Sequence, residues 1–192
     1  MTRFFVVLGI AFIAALYPVN GSTGTELIVS IPDQTVALVD GGEVIAHYRV
    51  STSKFGNGDS AGSYRTPLGT LFVFGKFGDR LPAGTVIKNR TPTGEIIAVD
   101  APNRDAIVSR VIWLRGMEQQ NAAAHDRCIY IHGTPEERNI GKAASFGCIR
   151  MRSRDIIALY DWVHIGMHVT VSEKLLEELV PCEKLTLLSR AD

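Results

Sequence analysis

A mainly β fold with short helices, α+β in class and built as a single domain, is what this sequence predicts. Short β-branched runs recur between Pro-Asp, Asp-Gly-Gly and other Gly-bearing breaks, the punctuation of strands joined by tight turns. Helical patterning is confined to two stretches near the C-terminus, Ser153 to Val163 and Glu173 to Val180. The 192 residues, 46% of them apolar, are enough for one ordinary domain with a substantial core. No internal repeat, low-complexity segment or second domain interrupts the chain.

The elements follow in order. Glu26 to Ile31, Thr35 to Val39 and Glu43 to Val50 form an antiparallel opening, joined by Pro32-Asp33-Gln34 and Asp40-Gly41-Gly42. Ser51 to Arg65 is rich in Ser, Gly, Asn and Asp and reads as a long loop. Thr66-Pro67-Leu68-Gly69-Thr70 is a turn in which Pro restrains φ and Gly admits the positive region, and it feeds a strand over Leu71 to Phe74. The connection from Gly75 to Gly94 holds a short strand at Val86 and Ile87. Strands are then expected at Glu95 to Val99, Ile107 to Leu114 and Cys128 to Ile131, with the polar loop Gln119 to Arg127 before the last. That strand leaves His132 at a strand end, a rigid place for a reactive group. From His132 to Cys148 the chain is full of turn formers and reads as a loop that folds Cys148 back beside His132. Ser153 is the expected N-cap of a helix whose apolar face is Ile156, Ile157, Tyr160 and Val163 and which ends near Gly166. Met167 to Val171 is the closing strand, followed by a short helix and a tail to Asp192.

The first residues read differently. Arg3 precedes thirteen uncharged residues, Phe4 to Leu16, and then Pro18 and small residues. One cation, an apolar run and small residues make an export signal over residues 1–24. A short membrane anchor is the other reading, although the sixteen uncharged residues from Phe4 to Val19 fall just short of a bilayer span. Either way the chain is expected to be exported to the periplasm or cell envelope, with the folded domain over 25–172 and a helix and tail over 173–192. Lys plus Arg equals Asp plus Glu at 20 each, so no bulk field draws in nucleic acid. Three cysteines, Cys128, Cys148 and Cys182, leave one thiol unpaired. If Cys148 is the reactive one, Cys128 and Cys182 are free to form a disulfide, two unrelated buried thiols being the alternative.

The chemistry is concentrated between Ile131 and Met151. His132 lies sixteen residues before Cys148, Gly147 precedes the Cys and Arg150 follows two residues later. A cysteine nucleophile needs a base to take its proton, donors for the developing oxyanion, and often a cation for an anionic substrate. His132 supplies an imidazole that can accept the thiol proton and return it to a leaving amine. Ser145-Phe146-Gly147-Cys148 turns tightly enough for the Gly147 and Cys148 N-H groups to face an oxyanion, and Arg150 favours the thiolate. No Asp or Asn stands at an obvious place to orient His132, which leaves a backbone carbonyl near Gly133. Glu136 and Glu137 belong to a Pro-Glu-Glu-Arg run of the kind usually found on solvated surface. No spacing among the five histidines and three cysteines matches a zinc site, and no cofactor is called for, since thiol acyl transfer needs none.

His132-Gly133-Thr134 followed by Ser145-Phe146-Gly147-Cys148-Ile149-Arg150-Met151 resembles the signature of the YkuD-type L,D-transpeptidases, in which H-G-T leads to S-H-G-C-I-R-M. Thr66-Pro67-Leu68-Gly69-Thr70 is similar to that family's T-P-x-G-T-F turn, and the likeness extends over about Glu26 to Val171. The resemblance implies a β-sandwich catalytic domain with Cys148 as nucleophile, His132 as base and the Gly133 carbonyl orienting it. It implies attack on the bond between a diamino acid and D-Ala in a peptidoglycan stem peptide, a thioester, and transfer to an amine on a second stem or on a lipoprotein. It also implies that carbapenem-type β-lactams acylate the thiol, and that Arg150 holds a substrate carboxylate or shapes the pocket. One residue departs from the pattern: Phe146 stands where the family has a second His, removing a ring nitrogen beside the nucleophile. Two other readings use the same residues: an L,D-carboxypeptidase that passes the thioester to water, and a weakly active or non-catalytic wall-binding member.

Overall fold

The computed structural model describes residues 24–180, so the expected export signal and the tail with Cys182 lie outside the described residues. The strands are β1 (Glu26–Ser30), β2 (Thr35–Asp40), β3 (Glu43–Ser51), β4 (Gly69–Phe77), β5 (Thr85–Lys88), β6 (Thr91–Ile96), β7 (Val108–Gly116), β8 (Tyr130–Gly133), β9 (Ile149–Met151) and β10 (His168–Ser172). The helices are α1 (Ser153–Tyr160) and α2 (Leu176–Leu179), with single 3-10 turns at Gln119–Asn121 and Glu137–Asn139.

The mainly β character and the antiparallel β1-β2-β3 opening agree with the sequence. The layering differs from a sandwich. All ten strands belong to one sheet in the order β4-β10-β1-β2-β3-β9-β8-β7-β5-β6, and β4 also pairs with β7. The run from β4 to β7 therefore closes on itself, and β5-β6 branches off β7. The physical reason lies in two irregular strands: β4 carries an extra residue against β7, between Val73 and Gly75, and β7 carries extra residues against β8, between Val108 and Val111. Such irregularities bend and twist a strand, and β7 pairs with β8 while it also pairs with β4 over Val111 to Gly116 and with β5 at Val108. Closure also removes the exposed edges that an open sheet leaves.

Strand alternation fills the enclosed side. Leu27, Leu38, Leu71, Ile112, Ile131 and Ile149 come from six different strands, and each is fully buried in one cluster. α1 adds Ile156, Leu159 and Tyr160 to the same cluster. α2 covers the other face of the opening unit, where Ile28, Ala37, Val39 and Val44 meet Leu176, Leu179 and Val180.

Three elements depart from the sequence expectation. The strand foreseen at Glu95 to Val99 is replaced by a hairpin in which Asn89 and Arg90, both with positive φ (51° and 66°), form a two-residue turn between Lys88 and Thr91. Asn tolerates that backbone region, and a turn of this type matches the twist of paired strands. The local hairpin sets the register, so β6 is exposed throughout and only Ile97 of the apolar run is buried nearby. β9 is a strand that the sequence reading does not include. α1 ends at Tyr160, well short of Gly166, and its cap is not the Ser153 side chain. Ser153 is instead the first helical residue, its N-H donates to Glu137 Oε1 at 2.9 Å, and its buried hydroxyl accepts from Ser109 Oγ at 2.9 Å. A carboxylate at a helix N-terminus satisfies an orphan donor and meets the positive end of the helix dipole. Glu137→Ala is accordingly expected to lower folding stability by about 1 kcal/mol, read as a shift in the urea midpoint at unchanged slope. An unchanged midpoint would show that Glu137 does not cap α1.

Candidate active site

The site is built on the ladder between β8 and β9. These strands run parallel, with Ile131 opposite Ile149, His132 opposite Arg150 and Gly133 opposite Met151. Since successive side chains point to opposite faces, burying Ile131, Ile149 and Met151 in the main cluster turns His132 and Arg150 to the other face, side by side. Cys148 lies one residue before β9, in phase with Arg150. Gly133 has its own steric reason: a Cβ there would lie 2.6 Å from Val108 O, so β7 approaches β8 only because this residue is Gly.

His132 is 4% exposed, and its Nδ1 lies 2.8 Å from the Gly133 carbonyl oxygen. A carbonyl can only accept, so Nδ1 carries the proton in the neutral ring and Nε2 keeps its lone pair. Burial pushes the imidazole down to about 4, because the charged form loses its water; the Gly133 carbonyl pulls the other way, and the Arg150 charge adds to the lowering. Burial likewise pushes the Cys148 thiol up to about 11, outweighing the Tyr130 backbone N-H and the Arg150 charge, which pull it down. The Cys148 Sγ donates to the Cys128 carbonyl oxygen at 3.5 Å. The resting pair is thus a neutral thiol and a neutral imidazole. Arg150 favours the thiolate, as its place near the Cys suggested, but desolvation outweighs it.

Arg150 is occupied. Its side chain is 6% exposed, with Nη2 2.6 Å from Asp105 Oδ2 and Nη1 3.2 Å from Glu136 Oε2. The guanidinium holds the loop before β7 and the loop after β8 against β9 through two charge-assisted bonds, so Glu136 is not the free surface carboxylate its sequence context indicated. Nor are both expected oxyanion amides open. The Gly147 N-H donates to Ser145 Oγ at 3.2 Å, while the Ser145 hydroxyl donates to the Cys148 carbonyl at 2.6 Å. The Cys148 N-H has no acceptor among the described residues. Gly147 has φ +117°, a backbone that other residues rarely adopt, and its carbonyl accepts from Thr66 Oγ1 at 3.0 Å. The Thr66 turn thereby braces the loop that carries Cys148.

Asp105, Ala106, Ile107, His132, Phe146, Cys148 and Arg150 line one cavity of about 210 Å³. Of the sequence candidates, His132, Phe146, Cys148 and Arg150 face this space; Gly133, Ser145 and Gly147 act behind it through their backbone or hydroxyl groups. A second cavity of about 430 Å³ shares Ala106 and Ile107 and continues under β5 to Cys128, Tyr130 and Arg90. Sequence reasoning missed Asp105, Ala106 and Ile107, which lie in a loop with no motif. Among the described residues Cys128 and Cys148 form no disulfide, and the expected partner of Cys128, Cys182, lies outside them. Among the described residues no group of three or more His, Cys, Asp and Glu side chains is placed to hold a metal ion.

Fold and site together define a closed β domain that sets a buried His, a Cys and a paired Arg around one small cavity. Residues 24–171 match the family model of the L,D-transpeptidase catalytic domain, and the chain belongs to that family. YkuD of Bacillus subtilis strain 168, whose own naming as an L,D-transpeptidase is provisional, is 35% identical over 86 residues, covering 45% of this chain and 48% of that protein. YqjB of the same organism, named with the same reserve, is 37% identical over 54 residues, 28% of this chain and 31% of the relative. The matched part thus spans about half or less of these relatives. Among solved structures, the L,D-transpeptidase of Xylanimonas cellulosilytica superposes with a TM-score of 0.51 at 18% identity, covering 80% of this chain and 62% of the other. L,D-transpeptidase 3 of Mycobacterium tuberculosis, solved in complex with a faropenem-derived adduct, gives 0.50 at 21% identity over 78% and 60%. At these identities the structures establish the likeness of fold.

The shifted pKa values make stability depend on pH in a defined way. Unfolded His132 takes up its proton near its ordinary 6.5 and folded His132 only near 4. The unfolded state therefore binds more protons in that window, and stability falls as pH drops through it. Unfolded Cys148 ionises near 9 and the folded thiol near 11, so stability also falls as pH rises between them. The expected profile is flat from about pH 6.5 to 9, with an acid loss on the order of 3 kcal/mol at pH 4 that His132→Asn flattens. Alkylation of Cys148 by iodoacetamide is expected to be roughly a hundredfold slower than for an unshifted thiol at neutral pH. A Cys148 as reactive as free cysteine at pH 7 would contradict the desolvated, neutral thiol.

Proposed function

We propose that this chain is an L,D-transpeptidase that acts on peptidoglycan stem peptides, with Cys148 as nucleophile and His132 as base, exported by its N-terminal segment to the envelope where that polymer lies. The observation that carries the reading is the Gly133 carbonyl 2.8 Å from His132 Nδ1, which leaves the basic Nε2 of a neutral ring for the thiol that shares its cavity.

The neutral resting pair sets the order of events. The gap between about 4 for His132 and about 11 for Cys148 makes a preformed ion pair negligible, so the proton moves to Nε2 as the sulfur-carbon bond forms. Attack at the carbonyl of the diamino acid gives a tetrahedral oxyanion, for which the Cys148 N-H is the open amide donor. Its collapse breaks the carbon-nitrogen bond, the leaving D-Ala amine takes the proton from Nε2, and a thioester remains on Cys148. An incoming amine then gives a proton to Nε2 as it attacks the thioester, and return of that proton to sulfur regenerates the thiol. Arg150, held by Asp105 and Glu136, acts here as a brace of the cavity wall rather than as the primary anchor of a substrate carboxylate.

The test is direct. Purified protein incubated with disaccharide-tetrapeptide is expected to release D-Ala, with none released by Cys148→Ala and a hundredfold to ten-thousandfold slower release by His132→Asn. Mass spectrometry separates transfer to a second stem, which gives a dimer, from transfer to water, which gives a tripeptide. Faropenem or a carbapenem is expected to leave an added mass on Cys148. Release of D-Ala by Cys148→Ala at the wild-type rate would end the proposal.

A further inference from the structure

We infer that Phe55, Tyr64 and Phe146 form a stacking platform for a sugar ring of the glycan strand that carries the stem peptide, an inference that rests on the stem-peptide reading above. The three rings meet pairwise at 5.8 to 6.1 Å between centroids, although they come from two separate loops. Each stays largely open to solvent: Phe55 is 45% exposed, Tyr64 58% and Phe146 48%. Three contiguous exposed rings are costly for a soluble surface unless something covers them.

The platform is held in place. The buried Ser53 hydroxyl accepts from the Phe55 N-H at 3.0 Å and donates to the Tyr64 carbonyl at 2.6 Å, so a single side chain fixes both loop rings. Asp59 and Arg127, 6% and 10% exposed, pair at 2.6 Å and tie the middle of the same loop to the segment before β8. Tyr64 has φ +56°, a conformation unfavourable for a bulky residue. Its ring gains little burial in return, so the strain presents the ring outward and is not recovered by packing.

The occupant follows from continuity and chemistry. Phe146 belongs both to the platform and to the wall of the Cys148 cavity. A ligand on the rings therefore lies next to what enters that cavity, and a stem peptide carries a sugar at its other end. A pyranose has apolar C-H faces and a polar rim. The platform answers with aromatic faces bordered by the Tyr64 hydroxyl and by Lys54, whose Nζ lies 4.2 Å from the Phe146 centroid and has no carboxylate partner among the described residues. A lipid chain or a wholly apolar protein face would bury that ammonium with only the Phe55 and Phe146 rings as partners. Phe146, the departure from the family's second His, completes the platform.

Two measurements on the purified protein test this. With disaccharide-tetrapeptide as donor, Phe55→Leu and Tyr64→Leu, which keep apolar bulk but lose the aromatic face, are each expected to raise KM about fivefold to tenfold at unchanged kcat. The free tetrapeptide, lacking the sugar, is expected to show no change. Separately, a peptide-free tetramer of N-acetylglucosamine is titrated into the wild type and the double variant by NMR, with saturable binding expected only in the wild type. Equal KM changes for both donors, no change for either, or undiminished glycan binding by the double variant would each overturn the platform. So would a concentration-dependent dimer that the double variant abolishes, which would assign the rings to a second copy of the chain. If wild type turns over neither donor, acyl transfer fails, while the glycan titration still decides the platform.

Discussion

The parallel ladder between β8 and β9 places His132 opposite Arg150, and the site depends on that register. It is pinned from the other face, because Ile131, Ile149 and Met151 are fully buried and a slip of one residue would turn all three outward. Packing of the enclosed core therefore decides where the polar side chains stand. Gly133 allows β7 to approach, and Gly147 turns the chain into β9 with Cys148 in phase with Arg150.

Burial shapes the chemistry more strongly than charge does. Arg150 lies close to both reactive groups and is paired with Asp105 and Glu136, yet desolvation is the leading cause of both shifts. A neutral thiol beside a neutral imidazole is protected from adventitious oxidation and alkylation, since the thiolate is the reactive form.

The loop from Ser51 to Thr66 links this cavity to the surface. Thr66 accepts from the Ser53 N-H and donates to the Gly147 carbonyl, so the loop that carries Phe55 and Tyr64 is hydrogen-bonded to the loop that carries Cys148. Ser145 joins them again, its N-H donating to the Thr52 carbonyl at 2.9 Å. The rings and Cys148 consequently share one hydrogen-bonded frame, and a ligand spanning both meets a surface already formed.

Much of this was legible in the residues. The β-branched runs and their turn dipeptides marked most strands, because alternation and turn chemistry act over a few positions. His132, Cys148 and Arg150 stood out because the motif is compact. The hairpin at Asn89 and Arg90 was obscured by the apolar run after it, and a three-residue strand such as β9 is too short to carry a period. The chain by itself determined its β-rich class, the chemical identity of the reactive groups and their order. Only the tertiary structure decided that the sheet closes through β4 and β7, that Asp105, 45 residues away, and Glu136, 14 away, neutralise Arg150, and that burial holds His132 and Cys148 uncharged. Each of these arises between residues distant along the chain and from the exclusion of water around them, and neither leaves a mark in local sequence pattern.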